Sequence, residues 1–171
     1  MASTPLRPKS FISVRTMVIL ALLSAVSVIL ELFLGINSGQ FKLNFSYLPI
    51  AVAGMLYGIV PAVLVATVSD ILSNLGNFAW PFVLLAALEG AVYGLFLHRG
   101  KSEKKQMLLQ ALYCQLLVSL VIHAGLNTLL LFMLYRFFDP IRFLINGITF
   151  PIKVFTLYKI LEYRPVLEKH A

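Results

Sequence analysis

The chain has 171 residues, of which 60% are hydrophobic and only 12% are charged, and its mean hydropathy is +0.90. These values exclude an ordinary soluble domain and indicate an integral membrane protein. The net charge of +7 does not indicate a nucleic-acid partner, because the basic residues cluster at the ends of apolar segments. The single cysteine, Cys114, excludes a disulfide framework and a cysteine metal cluster, and we expect no cofactor.

Six apolar segments follow one another along the chain, and each is predicted to be a membrane-spanning helix. About 20 residues are needed to cross a hydrocarbon core of ~30 Å. We read residues 1–171 as a single transmembrane domain because no polar linker is long enough to separate two. The predicted spans are 16–36, 45–58, 60–76, 81–97, 107–135 and 140–161.

The second and third spans come from one long apolar run, 45–75, whose only charge is Asp70. The run is longer than one span, and residues 57–61 offer a break that contains Gly58 and Pro61. We therefore expect a helical hairpin that brings Asp70 and Asn74 into the membrane.

Lysine and arginine predict the orientation of the bundle. If the N-terminus is cytoplasmic, the basic residues of the N-terminal tail, of the connector 98–105 and of the C-terminal tail all lie on one side of the membrane. The other side holds only Lys42, Arg136 and Arg142. This asymmetry predicts cytoplasmic termini and a multi-pass protein of the cell membrane, with the loops 35–45, 76–81 and 136–142 outside.

The segment before the second span has a period of two. The residues Phe41, Leu43, Phe45 and Tyr47 alternate with polar neighbours, which suggests an extended loop with one apolar face.

Small residues recur four apart in several spans, a spacing that lets helix backbones approach closely. The pairs are Ala21 and Ala25, Gly54 and Gly58, Ala62 and Ala66, and Gly90 and Gly94. Packing inside one subunit is the ordinary explanation for such pairs. For Ala21 and Ala25 we favour a partner helix, because the first span has few other features.

Three pairs of polar residues lie at i, i+4 spacing inside the spans, which places the members of each pair on one helix face. The pairs are Asp70 and Asn74, His123 and Asn127, and Arg142 and Asn146. With the predicted orientation, all three lie nearer the external ends of their helices. They are therefore predicted to line one outward pocket, with aromatic residues above it (Trp80, Phe41, Phe45 and Tyr47). The alternative is hydrogen bonding that only holds the bundle together.

The remaining intramembrane charges are less informative. Glu31 is close enough to a helix end to reach the membrane interface. Glu89 lies in the middle of a span, where it is either paired with Lys153 or protonated and packed. His123 has no second histidine or cysteine nearby at ligand spacing, so we expect no metal site. The chain contains no Walker, H-E-x-x-H or G-x-S-x-G motif, so any ATP hydrolysis must belong to another subunit.

The chain contains ALLSA at 21–25, LPIAVAGMLYG at 48–58 with Pro61 and Asp70, LNTL at 126–129, and Arg142 with Asn146 and Pro151. Together these motifs resemble those of the substrate-binding S components of energy-coupling factor (ECF) vitamin transporters, and among these the folate-type group. The resemblance covers nearly the whole chain. It implies a six-helix bundle that binds a water-soluble vitamin on the extracellular side. It also implies that Ala21 and Ala25 contact a transmembrane coupling subunit, which is driven by two ATPase subunits.

We therefore expect a vitamin-binding transporter subunit in the lipid bilayer, with folate as the favoured ligand because Arg142 and Lys42 would suit its carboxylates. Hydroxymethylpyrimidine, pyridoxine and pantothenate remain alternatives. The predicted substrate-binding residues are Lys42, Asn44, Asp70, Asn74, Trp80, His123, Asn127, Arg142 and Asn146. A small membrane enzyme using Asp70 and His123 as acid and base is disfavoured, because no nucleophile or metal set accompanies them.

Overall fold

The chain folds into a bundle of α-helices with a short β-hairpin after the first helix. The computed structural model describes residues 13–33, 36–38, 41–43, 45–76, 79–98, 104–136 and 141–170. Within them the helices are α1 (Val14–Phe33), α2 (Tyr47–Tyr57), α3 (Ile59–Ser73), α4 (Trp80–Leu97), α5 (Lys104–Leu117), α6 (Asn127–Tyr135), α7 (Ile141–Glu162) and α8 (Arg164–His170). A π-helical segment, Val118–Leu126, joins α5 directly to α6. The prediction of an all-α membrane fold is confirmed.

Three helical segments in the described part of the chain are long and apolar enough to cross a membrane. They are Val14–Phe33, Trp80–Leu97 and Lys104–Leu130. The apolar helices α2 and α3 have 11 and 15 residues. Each is thus shorter than the ~20 residues that span a bilayer core. These two helices form the predicted hairpin, but both are shorter than the ranges expected from the sequence.

The period-two pattern after α1 corresponds only in part to extended structure. The strands β1 (Ile36–Ser38) and β2 (Phe41–Leu43) pair antiparallel, with Asn37 opposite Lys42. The pattern continues to Tyr47, but that residue already begins α2. Alternation over so few residues cannot distinguish a strand from the start of a buried helix. The prediction that Tyr47 lies above the pocket is wrong, since its side chain is only 5% exposed inside the bundle.

The turn between α2 and α3 is formed by a single residue, Gly58. Its φ is +89°, a region that residues with a side chain rarely adopt, and its N–H donates to the carbonyl of Gly54. The ring of His98 packs beside it, 3.6 Å from the position that a Cβ would take. Pro61 lies in the first turn of α3, where the missing N–H has no helical partner to lose. The predicted break at residues 57–61 is confirmed.

Glycines bring α4 into backbone contact with both helices of this hairpin. A Cβ on Gly90 would lie 2.7 Å from the carbonyl oxygen of Ala62, and a Cβ on Gly54 would lie 2.9 Å from the nitrogen of Gly94. A Cβ on Gly94 would overlap the Cα of Ile59. The interpretation of these small residues as internal packing is therefore confirmed for Gly54, Gly90 and Gly94.

The core lies between this three-helix unit and the later helices. Its largest fully buried side chains include Tyr93 of α4, Met55 of α2 and Leu157 of α7. Residues 162–171 were expected to be a charged tail, but Arg164–His170 form a helix, α8. The guanidinium of Arg164 donates to the carbonyls of Leu97 and His98, at 3.4 and 2.9 Å. These bonds satisfy carbonyl groups that the end of α4 leaves without helical partners.

The glycine contacts make Gly94→Ala a strongly destabilising substitution. The added methyl meets backbone atoms that cannot move independently, and overpacking of this kind costs about 1–3 kcal/mol. Gly147→Ala is the matched control, because nothing lies within 4 Å of its Cβ position. The buried, single Cys114 reports unfolding when the protein is heated in detergent with a thiol-reactive fluorophore. We expect the midpoint temperature of unfolding to fall below that of the unsubstituted protein for Gly94→Ala alone. Equal midpoints in the two variants would contradict this packing.

Candidate functional site

An ionisable pair lies inside the bundle between α4 and the π-helical segment. The carboxylate of Glu89 is 3.9 Å from Nε2 of His123, and the two side chains are 16% and 29% exposed. The distance is too long for a hydrogen bond, and the two groups form an ion pair only when His123 is protonated. Ionisable groups at such a depth usually face a cavity or a functional partner. The pair is therefore the natural centre of a candidate site.

Further charges converge on Glu89 from three other helices. Its carboxylate interacts electrostatically with Lys153 of α7, Glu31 of α1 and Asp70 of α3. Lys153 also lies over the ring of Tyr47, with its Nζ 5.8 Å from the ring centroid. Lys153 acts on the carboxylate of Glu89, as the paired interpretation requires, and that carboxylate is deeply buried, as the protonated interpretation requires, so both interpretations stay open. Sequence reasoning missed the contact with His123, although both residues are polar and lie within spans.

The π-helical segment carries His123 and changes the geometry expected for it. We predicted an α-helical face shared with Asn127, whereas the backbone from Val118 to Leu126 follows the wider i, i+5 pattern. The hydroxyl of Thr128 donates to the carbonyl of His123, five residues earlier, at 3.4 Å. Asn127 is partly buried at the start of α6. Since π-helical turns occur frequently at functional sites, this segment supports a binding role for the face around His123.

The predicted pair Asp70 and Asn74 meets at the end of α3. The side-chain amide of Asn74 donates to the carbonyl of Asp70 at 2.9 Å and to its carboxylate Oδ1 at 3.0 Å. Asn74 is thus the C-cap residue of α3. These contacts hold the carboxylate of Asp70, which acts electrostatically on Glu89.

The other predicted site residues are less closely connected to this centre in the described structure. Trp80 is the first residue of α4 and is 72% exposed. Asn146 is partly buried in α7, and its carbonyl accepts a bond from Thr149. Asn44 and the side chains of Lys42 and Arg142 lie outside the described residues. Their predicted roles stay predictions.

Two tyrosines lie below the Glu89–His123 pair, on the side of α4 that leads to its C-terminus. The rings of Tyr47 and Tyr93 are stacked with centroids 6.5 Å apart. The hydroxyl of Tyr93 donates to Oε1 of Gln115 at 3.1 Å, and the hydroxyl of Tyr47 bonds with Thr156. Sequence reasoning missed Gln115 and Tyr93. The available signal was the four-residue spacing of Gln115, Ser119 and His123, which places three polar side chains along one side of a span.

On α1, the candidate docking residues lie on the outer surface of the bundle. Ala21 and Ala25 are exposed, whereas Leu20, Ser24 and Ser27 are buried against neighbouring helices. The hydroxyl of Ser27 donates to the carbonyl of Ser46 at 3.0 Å, which fixes the rotation of α1. A second helix could therefore approach α1 along Ala21 and Ala25.

A helical membrane bundle with a partly buried polar centre is typical of membrane proteins that act on a small polar solute. Residues 15–162 match the family model described as "ECF transporter, substrate-specific component", and the chain belongs to this family. The expectation that it is not an enzyme is confirmed by this assignment.

Two known proteins are similar over most of the chain. One is the folate transporter FolT of Clostridium novyi (strain NT), 25% identical over 165 residues, which cover 92% of this chain and 96% of that protein. The other is a crystal structure of FolT bound with folic acid, with a TM-score of 0.76 and 25% identity. That match covers 86% of this chain and 93% of the crystallised one. The resemblance to ECF S components is thus confirmed.

The bond between Tyr93 and Gln115 predicts a difference between two otherwise similar substitutions. Tyr93→Phe leaves Oε1 of the buried Gln115 without this donor, which costs about 1 kcal/mol of stability. Tyr47→Phe should cost less, because the hydroxyl of Thr156 also donates to the carbonyls of Ile152 and Lys153. Thermal unfolding in detergent compares the two. If Tyr47→Phe loses as much stability as Tyr93→Phe, the bond to Gln115 contributes no more than the bond to Thr156.

Proposed function

We propose that this chain binds folate from outside the cell and delivers it as the substrate-specific subunit of an ECF importer. The observation that carries the proposal is the match, over most of both chains, to FolT bound with folic acid. The polar centre around Glu89 and His123 supports it, because a ligand with a polar heterocycle needs hydrogen-bonding groups in an otherwise apolar site.

The chemistry of folate suits the residues available. Folate has a flat ring system at one end and two carboxylates at the other. Arg142 and Lys42, both predicted to lie near the outer surface, are proposed to pair with the carboxylates. The proposed site further includes Asn44, Asp70, Asn74, Trp80, His123, Asn127 and Asn146. In this arrangement the charged tail stays near water while the ring enters the bundle.

Calorimetric titration of the purified protein tests the ligand. We expect folate to bind far more tightly than hydroxymethylpyrimidine, pyridoxine or pantothenate. Arg142→Gln should weaken folate binding about tenfold or more, since a charged ligand group that loses its partner costs more than ~1.4 kcal/mol. Arg136→Gln is the matched control, because Arg136 is exposed in the same interhelical region.

His123→Ala and Asn127→Ala should also weaken binding, because each removes a polar partner from the ligand. If one of the other three compounds binds more tightly than folate, folate is not the ligand, and the family assignment is unaffected. Unchanged affinity in all these variants would place the folate site elsewhere.

We also propose that α1 docks on a transmembrane coupling subunit that works with two ATPase subunits, in a multi-pass protein of the cell membrane with cytoplasmic termini. The exposed small residues Ala21 and Ala25 support this docking role, because they permit close approach of another helix. The excess of lysine and arginine at one side of the membrane supports the orientation.

Large side chains on this patch should block docking. The double substitution Ala21→Trp with Ala25→Trp should abolish folate uptake by cells and co-purification of the partner subunits, while the isolated protein still binds folate. Val26→Trp is the matched control, since Val26 is exposed on a different side of α1. If the double variant loses folate binding as well, the patch is part of the internal packing instead.

A further inference from the structure

Two rows of polar side chains face each other inside the bundle. On the continuous helix 104–135, the residues Gln115, Ser119 and His123 recur every four positions. On α4, Glu89 and Tyr93 are also four apart. Two contacts join the rows, from Glu89 to His123 at one end and from Tyr93 to Gln115 at the other. We call these five residues the polar seam.

Two members of the polar seam have hydrogen-bonding atoms without partners in the described structure. These atoms are Nε2 of Gln115 and Oγ of Ser119, on side chains whose residues are 1% and 6% exposed. Buried polar atoms are nearly always hydrogen-bonded, because an unpaired one costs about 1–3 kcal/mol. Two such atoms, one turn apart on the same helix, indicate a place where polar groups of a ligand are received.

The π-helical backbone explains why Ser119 differs from other buried serines. A buried serine in a membrane helix usually donates to the carbonyl four residues earlier. Ser24 does so to Leu20 at 2.9 Å, and Ser69 does so to Val65 at 2.7 Å. Ser119 lies in the π-helical segment, whose wider turn changes the position of the preceding carbonyls. Its hydroxyl makes no such bond in the described structure.

The polar seam offers acceptors and donors side by side. The carboxylate of Glu89 accepts hydrogen bonds, while Nε2 of Gln115 donates and the hydroxyl of Ser119 can donate. A complementary ligand is a flat heterocycle whose edge carries two neighbouring N–H donors beside a carbonyl or ring-nitrogen acceptor. A 2-amino-4-oxo pteridine has this pattern, because its 2-amino group and N3–H are donors and its O4 and N5 are acceptors.

We propose that the polar seam is the subsite for the heterocyclic end of the ligand, with Glu89, Gln115 and Ser119 as specificity-determining residues. The inference rests on the proposed function and deepens it. Glu89 receives the two N–H groups of an aminopyrimidinone, and Gln115 and Ser119 donate to its acceptors. Lys153, and His123 when it is protonated, favour the charged, accepting form of Glu89.

Fragments of folate test this assignment in the full-length purified protein. The probes are pterin, lumazine, which has an oxo group in place of the 2-amino group, and 4-aminobenzoylglutamate, which lacks the heterocycle. We expect the unsubstituted protein to bind pterin at least about tenfold more tightly than lumazine, the effect of one ligand group left unpaired. Glu89→Gln should abolish this preference, because an amide can donate to the 2-oxo group.

Ser119→Ala should weaken the binding of pterin and folate about fivefold to tenfold and leave the binding of 4-aminobenzoylglutamate unchanged. Ser24→Ala is the matched control, since Ser24 is a buried serine on α1 that bonds within its own helix. Gln115→Leu should act like Ser119→Ala. Gln115→Leu also removes the acceptor of Tyr93, which can prevent folding. If Gln115→Leu does not fold, Ser119→Ala alone tests the assignment.

Two results would overturn the assignment, and they are distinguishable. If the unsubstituted protein binds no folate, the proposed function itself fails. If folate binds but Glu89→Gln keeps the preference for pterin over lumazine, or Ser119→Ala binds pterin as tightly as Ser24→Ala does, only the subsite is wrong.

Discussion

The contact between the backbones of α3 and α4 determines the geometry of the whole interior. Gly90 and Gly94 press against Ala62 and Ile59 so closely that no side chain fits between the helices. Successive residues of an α-helix are rotated by about 100°. With the two glycines directed at α3, their predecessors Glu89 and Tyr93 are turned together toward the helix 104–135. The position of the polar seam therefore follows from how α4 packs.

This arrangement explains how a very apolar chain keeps polar groups inside. Within a bilayer, the alternative to a partner in the protein is hydrocarbon, so each buried polar atom needs a partner from its own chain or from a ligand. Tyr93 donates to Oε1 of Gln115, and Asn74 donates to Asp70. The ionisable side chains of His123, Lys153, Glu31 and Asp70, which come from four segments, all lie near enough to act on Glu89. A site of this kind suits a ligand that is itself polar at several positions.

The sequence predicted the parts of the structure that depend on local patterns. The length of the apolar runs predicted the helices, and Gly58 with Pro61 predicted the break between α2 and α3. The sequence motifs identified the family. The pairing of Asp70 with Asn74 also followed from spacing alone. These features depend on neighbouring residues in the chain, so their signals are contained in short windows.

The features that depend on distant contacts were not predicted in the same way. No residue pattern in 118–126 marks a π-helix. Tyr47 was expected above the pocket, and it instead begins α2 with its ring stacked on that of Tyr93. The role of Gln115 becomes visible only when Tyr93, 22 residues earlier, is brought beside it. Helix rotation relative to partners decides which polar residues meet, and periodicity alone does not specify it.

We propose that the ligand binds between α4 and the π-helical segment. Hydrogen–deuterium exchange of the purified protein, with and without saturating folate, can locate the bound ligand because it reports local opening segment by segment. We expect slower exchange in Val118–Leu126 and in the part of α4 around Glu89, with α1 unchanged. Folate binding that leaves the exchange of both segments unaltered, while protecting another part of the bundle, would contradict it.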